Sequence, residues 1–362
     1  MPSTRFLASI LLTPLVVAAT ACGQVTSAAG RTSSGVSQAR MVGQMIVVRM
    51  PGHVPTPAFL ARIRAGQVGG IILFSENFGP AGPSALVARL QAAAAQGGNP
   101  PLLVGIDQEG GIVKRLRGAP SLAPPQMSSA AIAQSQGNAT ASNLGRYGIN
   151  VDLAPVLDVG RGGFITPRTF GHTPQAVAVR GTAFARGLSS GGVIATAKHF
   201  PGLGYATMTT DATSVVVHAS RSQLLADLLP FRTAIAGGIP MVMVGTATYP
   251  SLGVKVPAAV SRPIVTGLLR TALGFHGVVI TDALSTGAVT KYLSPSTAAV
   301  QAINSGVDMV LAAGTTSTGA DATSKAAFAS VLTAARTGRL SAQTLTAAYQ
   351  RIVRLKQQFL RG

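Results

Sequence analysis

Acidic residues are scarce in this 362-residue chain, which has 10 Asp and Glu against 29 Lys and Arg and a formal net charge of +19. Trp is absent, aromatic residues make up 5% of the chain, and there is one cysteine. A lone cysteine excludes an intramolecular disulfide, and the shortage of aromatics leaves Ala, Val, Leu and Ile to build the core. The 47% of hydrophobic residues suffice for one large core, and α/β barrels of about 250 residues or more form single domains.

The first 22 residues are typical of an export signal. Arg5 supplies a positive charge, and residues 6–19 form an apolar run that is short for a membrane span. Residues 19–22 (ATAC) resemble a bacterial lipobox, with Cys22 as the lipidation site; an ordinary secretory signal with an incidental cysteine is the alternative. Residues 23–37 are rich in Ser, Gly, Ala and Thr, which predicts a flexible tether. We therefore expect an exported, membrane-anchored lipoprotein that faces outside the cell, with a folded domain over residues 38–362.

The excess of positive charge should attract polyanions. The sequence has no helix-turn-helix pattern and no basic patch interleaved with aromatics, so we expect no nucleic-acid partner. Anionic lipid headgroups and acidic wall polymers are the expected neighbours of an anchored protein, although a compositional bias of the source genome explains the charge equally well. Residues 351–356 (RIVRLK) are interpreted as a solvated helix face, with a partner site as the alternative. Scattered histidines and the absence of a phosphate loop predict neither a metal nor a cofactor.

Short, continuously hydrophobic segments predict buried parallel strands. They cover residues 70–74, 102–107, 151–158, 193–198, 241–245, 277–282 and 309–311. Amphipathic segments rich in Ala and Leu predict helices over residues 83–95, 176–190, 262–273, 324–337 and 342–360. About seven or eight strand–helix units fit a closed barrel better than an open sheet, so the predicted fold is α/β, a single (β/α)8 TIM-type barrel.

Three of the scarce acids end three of the predicted strands: Asp107, Asp158 and Asp282. In parallel barrels the polar residues at the carboxyl ends of the strands form the active site. The alternative for each acid taken singly is a helix cap or a loop ion pair. Three such acids in an acid-poor chain favour an active site.

Five motifs in order resemble the family 3 glycoside hydrolases, in particular their single-domain β-N-acetylhexosaminidase branch. They are residues 69–74 (GGIILF), 106–115 (IDQEGGIVKR), 153–159 (LAPVLDV) with 168–171 (RTFG), 198–202 (KHFPG) and 274–284 (GFHGVVITDAL). The resemblance implies a retaining exo-hydrolase that removes N-acetylglucosamine from peptidoglycan-derived glycans at the cell surface. A β-glucosidase or xylosidase is less favoured, because members of that kind usually add a C-terminal domain.

The resemblance also implies roles for single residues. Asp282 matches the family nucleophile, and a retaining glycosidase needs such a carboxylate aimed at the anomeric carbon. Positions that bind sugar hydroxyls in the family are matched by Asp107, Arg115, Arg168, Lys198 and His199. Their charged groups make the stronger hydrogen bonds to hydroxyls. Glu109 is interpreted as structural, bonding the turn at Gly110 and Gly111.

The loop that should supply the acid/base departs from the family pattern. Leu203 replaces a histidine, and Thr213 stands where the histidine of the family's Asp–His pair should be, whereas Asp211 remains. Three interpretations stay open. Asp211 itself is the acid/base; another group takes over; or the barrel binds glycan without efficient turnover, as a non-catalytic lipoprotein. The other groups considered are His172, His218 and Glu76.

Overall fold

Eight short parallel strands form a barrel in the computed structural model, which describes residues 35–79, 82–314 and 316–360. The predicted signal and Cys22 lie outside the described residues. In chain order the strands are β1 (Ile46–Arg49), β2 (Gly70–Ile72), β3 (Leu103–Ile106), β4 (Val151–Asp152), β5 (Ile194–Phe200), β6 (Met241–Val244), β7 (Val278–Thr281) and β8 (Val310–Ala312). Each strand pairs in parallel with the next from β1 to β7, and β8 pairs with β1.

The barrel closes between β7 and β8. Ile280 and Met309 form a parallel bridge there, and the backbone N–H of Thr281 donates to the carbonyl of Met309 at 3.1 Å. The hydroxyl of Thr281 also accepts a hydrogen bond from the backbone N–H of Leu311 at 3.0 Å. The predicted (β/α)8 barrel is therefore confirmed.

Seven of the eight strands overlap the predicted strand segments, and two of them, Ile194–Phe200 and Val310–Ala312, extend one or two residues beyond. The sequence did not indicate β1, because the first helix, Gln38–Gln44, runs almost directly into it without turn residues between them. The apolar residues 214–217 (SVVV) do not form a regular strand, because only Val216 pairs, in an isolated bridge with Thr248. The strands are buried on both faces, which explains their continuous hydrophobic runs.

Helices cover the outside of the barrel. Most begin after a Ser or Thr whose side chain accepts a hydrogen bond from a backbone N–H of the first turn, the usual N-cap arrangement. The α-helices are Gln38–Gln44, Pro57–Arg64, Ser84–Gln96, Ala130–Gly145, Pro174–Ser190, Arg221–Ala226, Leu229–Ala236, Gly287–Thr290, Pro295–Asn304, Ser317–Arg336 and Ala342–Phe359. Pro263–Ala272 is a π-helix. Within the described ranges, no helix has both the length and the apolar character needed to cross a membrane.

The last helix, Ala342–Phe359, lies across the amino end of the barrel, where the strands begin. Its Lys356 is 2% exposed, and its Nζ donates to Gln44 Oε1 at 2.6 Å and to the carbonyl of Gly69 at 2.8 Å. Burial lowers the pKa of Lys356 to about 7, and two acceptors suit the two N–H groups of a neutral amine. The prediction that residues 351–356 form a solvated face is therefore wrong for Lys356.

We expect Lys356 to make the free energy of unfolding rise with pH above neutrality. Its pKa is about 7 in the folded protein and about 10.4 in an unfolded chain, so in this window the unfolded state binds the extra proton and stability increases with pH. Below about pH 7 both states are protonated, and the contribution is constant. Urea unfolding at about pH 7 and 9.5 should show a rise about 3 kcal/mol larger in the wild type than in Lys356→Met. An equal pH dependence in the two proteins would contradict this assignment.

Candidate active site

One pocket opens at the carboxyl end of the barrel, where the strands finish. Its empty space is about 830 Å³, including solvent at the mouth, which is the size of a small-molecule site. All seven residues predicted to be catalytic or to bind sugar line it: Asp107, Arg115, Arg168, Lys198, His199, Asp211 and Asp282. The sequence therefore predicts correctly which side chains meet at one place.

A buried cluster of alternating charges forms one wall of the pocket. Lys198, at 2% exposed, places its ammonium nitrogen 2.7 Å from Asp107 Oδ1 and 2.7 Å from Glu109 Oε1. Arg168 binds both oxygens of Glu109, from Nε at 2.8 Å and from Nη2 at 2.7 Å. The interpretation of Glu109 as a partner of the turn at Gly110 is wrong, because its carboxylate joins two of the predicted sugar-binding cations.

The charges of this cluster support one another. Burial by itself would raise the pKa of Glu109, but Lys198 and Arg168 hold it below its ordinary value. Burial likewise acts to raise the pKa of Asp107, and Lys198 followed by Arg115 brings it below the ordinary value. For Lys198, burial favours the neutral amine, yet the two carboxylates raise its pKa. The cluster therefore stays fully ionised around neutral pH.

The buried side chain of Gln108 holds the loop that carries Arg115. Its carbonyl oxygen accepts from the backbone N–H groups of Arg115 at 3.0 Å and Leu116 at 2.9 Å. Its amide nitrogen donates to the carbonyls of Leu116 at 2.9 Å and Ala119 at 2.8 Å. All of its hydrogen-bonding capacity serves this loop. The sequence analysis gave Gln108 no role. Its position between Asp107 and Glu109 in the 106–115 motif was the signal that could have indicated one.

Asp158 orients His199 from below the pocket. The carboxylate is fully buried and lies 2.7 Å from His199 Nδ1, and it also accepts from the backbone N–H of Leu203 at 2.7 Å. Because a carboxylate only accepts, His199 Nδ1 carries a proton and donates it to Asp158. The sequence identified Asp158 as an acid at a strand end but did not indicate this partner.

Asp282 follows the last residue of β7 directly. Its Oδ1 accepts the backbone N–H of Ala283 at 2.7 Å, and its own N–H donates to the carbonyl of Val244 at 2.8 Å. Burial raises the pKa of Asp282, and the carboxylate of Asp211 adds to that rise, while His199 opposes it. Asp282 is thus held at the end of a strand, and within the described ranges no hydrogen bond occupies its Oδ2.

The loop that carries Asp211 is seated against the segment that follows Asp282. The backbone N–H of Gly287 donates to the carbonyl of Asp211 at 2.9 Å, and the N–H of Ala288 donates to the carbonyl of Thr210 at 3.2 Å. A methyl group at Gly287 would lie 2.4 Å from the carbonyl oxygen of Ala212, so the close approach requires glycine. The hydroxyl of Thr209 donates to the Asp211 carboxylate at 3.1 Å.

The other acid/base groups considered from the sequence lie elsewhere. None of His172, His218 and Glu76 is among the described residues that line the pocket. His172 has Nδ1 3.2 Å from the carbonyl of Gly160, and Glu76 forms an ion pair with Arg49. In the described part of the chain, no group of three or more His, Cys, Asp or Glu side chains could hold a metal ion.

The chain matches known glycosidases in sequence. Residues 39–355 match the family model described as the glycosyl hydrolase family 3 N terminal domain. A protein of Arthroderma benhamiae, named an uncharacterized secreted glycosyl hydrolase, is 37% identical over 301 residues, which are 79% of this chain and 85% of the relative.

Solved structures are similar as well. A glycoside hydrolase family 3 β-N-acetylglucosaminidase from Paenibacillus has a TM-score of 0.84 and 35% identity, over 90% of this chain and 63% of its own. The β-N-acetylhexosaminidase of Beutenbergia cavernae has a TM-score of 0.79 and 34% identity, over 89% of this chain and 99% of its own. The chain thus spans less than two thirds of the Paenibacillus protein but almost all of the Beutenbergia one.

We expect Glu109→Gln to lower the free energy of unfolding by about 3–5 kcal/mol, because it removes one charge from a buried ion-pair cluster. The matched control is Glu76→Gln, whose carboxylate is 41% exposed in its pair with Arg49. That change should cost less than about 1 kcal/mol. Urea unfolding of both variants at neutral pH is the measurement, and equal losses would show that the cluster is not mutually stabilising.

Proposed function

The chain belongs to glycosyl hydrolase family 3, as its sequence motifs indicate, and from that premise we propose that it is a retaining β-N-acetylhexosaminidase. The observation that carries the proposal is the presence of Asp211 and Asp282 in one pocket, where the Asp211 carboxylate raises the pKa of Asp282. Two carboxylates that flank the scissile bond are what a retaining mechanism needs. The names of the Paenibacillus and Beutenbergia proteins support the choice of N-acetylhexosamine as the sugar.

Asp282 is the nucleophile in this proposal. Its Oδ1 is occupied by the N–H of Ala283, so Oδ2 attacks the anomeric carbon and forms a glycosyl ester while the glycosidic bond breaks. The backbone hydrogen bonds of Asp282 fix the carboxylate in advance, so little ordering remains to be done when the substrate binds.

Asp211 is the acid/base. In the first step its carboxylic acid gives a proton to the leaving oxygen, and in the second its carboxylate takes a proton from the water that attacks the anomeric carbon and releases Asp282. The contact with the Thr209 hydroxyl and the anchored backbone of the loop hold Asp211 at the pocket. Support comes from its lining of the pocket, where His172 and His218 do not reach.

The charged wall of the pocket binds the sugar ring. Asp107 accepts hydrogen bonds from hydroxyls, and Arg115, Arg168 and Lys198 donate them, each charge strengthening the bond that it makes. His199 is held by Asp158 through Nδ1, which leaves Nε2 for the sugar. A wall with both donors and acceptors can recognise neighbouring hydroxyls on one ring.

The proposed substrate is a β-linked N-acetylglucosaminide derived from peptidoglycan, cleaved outside the cell. Export is supported by the secreted relative from Arthroderma benhamiae and by the signal-like residues 1–22. Lipidation at Cys22 and a tether over residues 23–37 would keep the barrel at the membrane. Anionic lipid headgroups or wall polymers would then surround a chain that keeps a strong excess of Lys and Arg after loss of Arg5 with the signal.

A non-catalytic glycan-binding lipoprotein is the alternative function. The observation that favours it is the sequence of the acid/base loop, where Leu203 and Thr213 replace the two histidines that the family pattern has there. The ion pairs of the sugar-binding wall involve no side chain of that loop, so binding without efficient turnover is physically consistent. The experiment below separates the two functions.

We expect two variants to fail at different steps on an aryl β-N-acetylglucosaminide. Asp282→Ala should lose at least about a thousandfold in turnover, because no glycosyl ester forms. Asp211→Ala should lose about a hundred- to ten-thousandfold in deglycosylation, because water lacks its base. Azide should restore Asp211→Ala and yield the β-glycosyl azide, since it needs no base to attack the ester. Product anomers identified by NMR are the readout.

Three variants control for the other candidates: His172→Ala, His218→Ala and Glu76→Ala should keep turnover within a few-fold of the wild type. Full activity in Asp282→Ala would refute the nucleophile assignment, and unimpaired turnover in Asp211→Ala would refute the acid/base assignment. Saturable binding of N-acetylglucosamine by a wild type with no turnover above that of Asp282→Ala would establish the binding protein instead.

The acidic limb of the kcat/KM profile should lie above the ordinary pKa of an aspartate, about 3.9. Burial and the Asp211 carboxylate raise the pKa of Asp282, and kcat/KM falls as pH drops through that value because the nucleophile is protonated. Asp211→Asn removes one of the two causes, so its acidic limb should move to lower pH. Rates on an aryl substrate between about pH 3 and 7 give the acidic limb of the wild type and that of Asp211→Asn. An acidic limb at the same pH in both proteins would show that the two carboxylates do not interact.

A further inference from the structure

A second cleft lies at the amino end of the barrel, opposite the active site. Pro240 and Gly277, the residues directly before β6 and β7, form one side, and residues 351–358 of the last helix form the other. Its empty space is about 750 Å³, including solvent at the mouth. This volume is comparable with that of the pocket at the carboxyl end, and the proposed hydrolase gives the cleft no role.

The charged side chains that line the cleft are all cationic or imidazole. They are Arg351, Arg354 and His276, and no Asp or Glu is among the described lining residues. Arg354 is exposed, and its side chain makes no hydrogen bond or ion pair with a described residue. An adjoining smaller pocket shares Gly238 and Ile239 with the cleft and is lined by Arg186. The charge therefore extends beyond a single arginine.

The acid behind the cleft does not neutralise it. Asp308 is fully buried and receives hydrogen bonds from Arg270 Nη2 at 2.5 Å, Arg351 Nε at 2.8 Å and the backbone N–H of Val279 at 2.8 Å. One carboxylate thus faces two guanidinium groups. With Arg354 added, three positive charges stand against one negative charge.

The walls of the cleft are held in place. Arg270 donates to the carbonyls of Phe275 at 3.2 Å and Gly277 at 2.6 Å, which fixes the loop that carries His276. Ile239, Phe275 and Leu355 are almost wholly buried and give the cleft an apolar floor. A few convergent polar groups over an apolar floor are the usual make-up of a small-molecule site.

We propose that this cleft binds a phosphate-bearing anion, with Arg354 and the free Nη groups of Arg351 on the phosphate. The planar guanidinium matches the spacing of phosphate oxygens and binds them in pairs. His276 contributes a further donor, and any organic part of the ligand rests on the apolar floor. Free inorganic phosphate and the headgroup of an anionic lipid offer the same chemistry.

Calorimetric titration of the full chain with two probes tests the site. Inorganic phosphate and short-chain phosphatidylglycerol below its micelle concentration should each bind in a saturable, one-to-one manner, and short-chain phosphatidylcholine should bind at least about tenfold more weakly because it has no net charge. Tighter binding of phosphatidylglycerol than of phosphate identifies the lipid headgroup as the ligand. Equal binding identifies phosphate itself.

Arg354→Gln should weaken binding at least about tenfold, and His276→Gln should weaken it by a smaller factor. The matched control is Arg89→Gln, which removes the same charge from an exposed position on another helix and should leave affinity within about twofold. Activity on the aryl substrate should be unchanged in all three, because the cleft is at the opposite end of the barrel. Absence of saturable binding, or equal losses in Arg354→Gln and Arg89→Gln, would overturn the proposal.

Discussion

The ion-pair contact between Lys198 and two carboxylates is the constraint on which the pocket depends. A buried ammonium without partners would be costly, so Asp107 and Glu109 must both lie beside it. Glu109 then brings in Arg168 through two hydrogen bonds. One buried cation thereby fixes the relative positions of the loops after β3 and β4 and of β5 itself. This wall of the pocket is rigid because each of its buried charges contacts at least one group of opposite charge.

Much of the fold followed from the sequence because strands buried on both faces leave continuous apolar runs. β1 was not predicted, because the first helix is followed almost directly by this strand and no turn residues mark the boundary between them. The gathering of seven side chains in one pocket was predictable, because parallel strands place their carboxyl ends together. The pairing of Glu109 with Arg168 was not predictable, because the two residues are 59 positions apart and only tertiary packing brings them together. The burial of Lys356 was not predicted for a similar reason. The helical periodicity of residues 351–356 indicates a basic stripe, but it does not show that the amino end of the barrel covers Lys356.

The few acids of the chain are distributed unevenly between the two ends of the barrel. Those that line or support the pocket at the carboxyl end are Asp107, Glu109, Asp158, Asp211 and Asp282. Behind the cleft at the amino end, Asp308 is shared between Arg270 and Arg351. No Asp or Glu is among the described residues that line that cleft, so the charge of Arg354 is unopposed there.

The absence of a side chain at Gly287 limits which residues this position can hold. The backbone of the Asp211 loop lies where any side chain at residue 287 would be, and residue 287 belongs to the same connection that begins at Asp282. The loop that carries Asp211 is therefore in direct backbone contact with the connection that begins at Asp282. A single added methyl group at residue 287 would push the two apart.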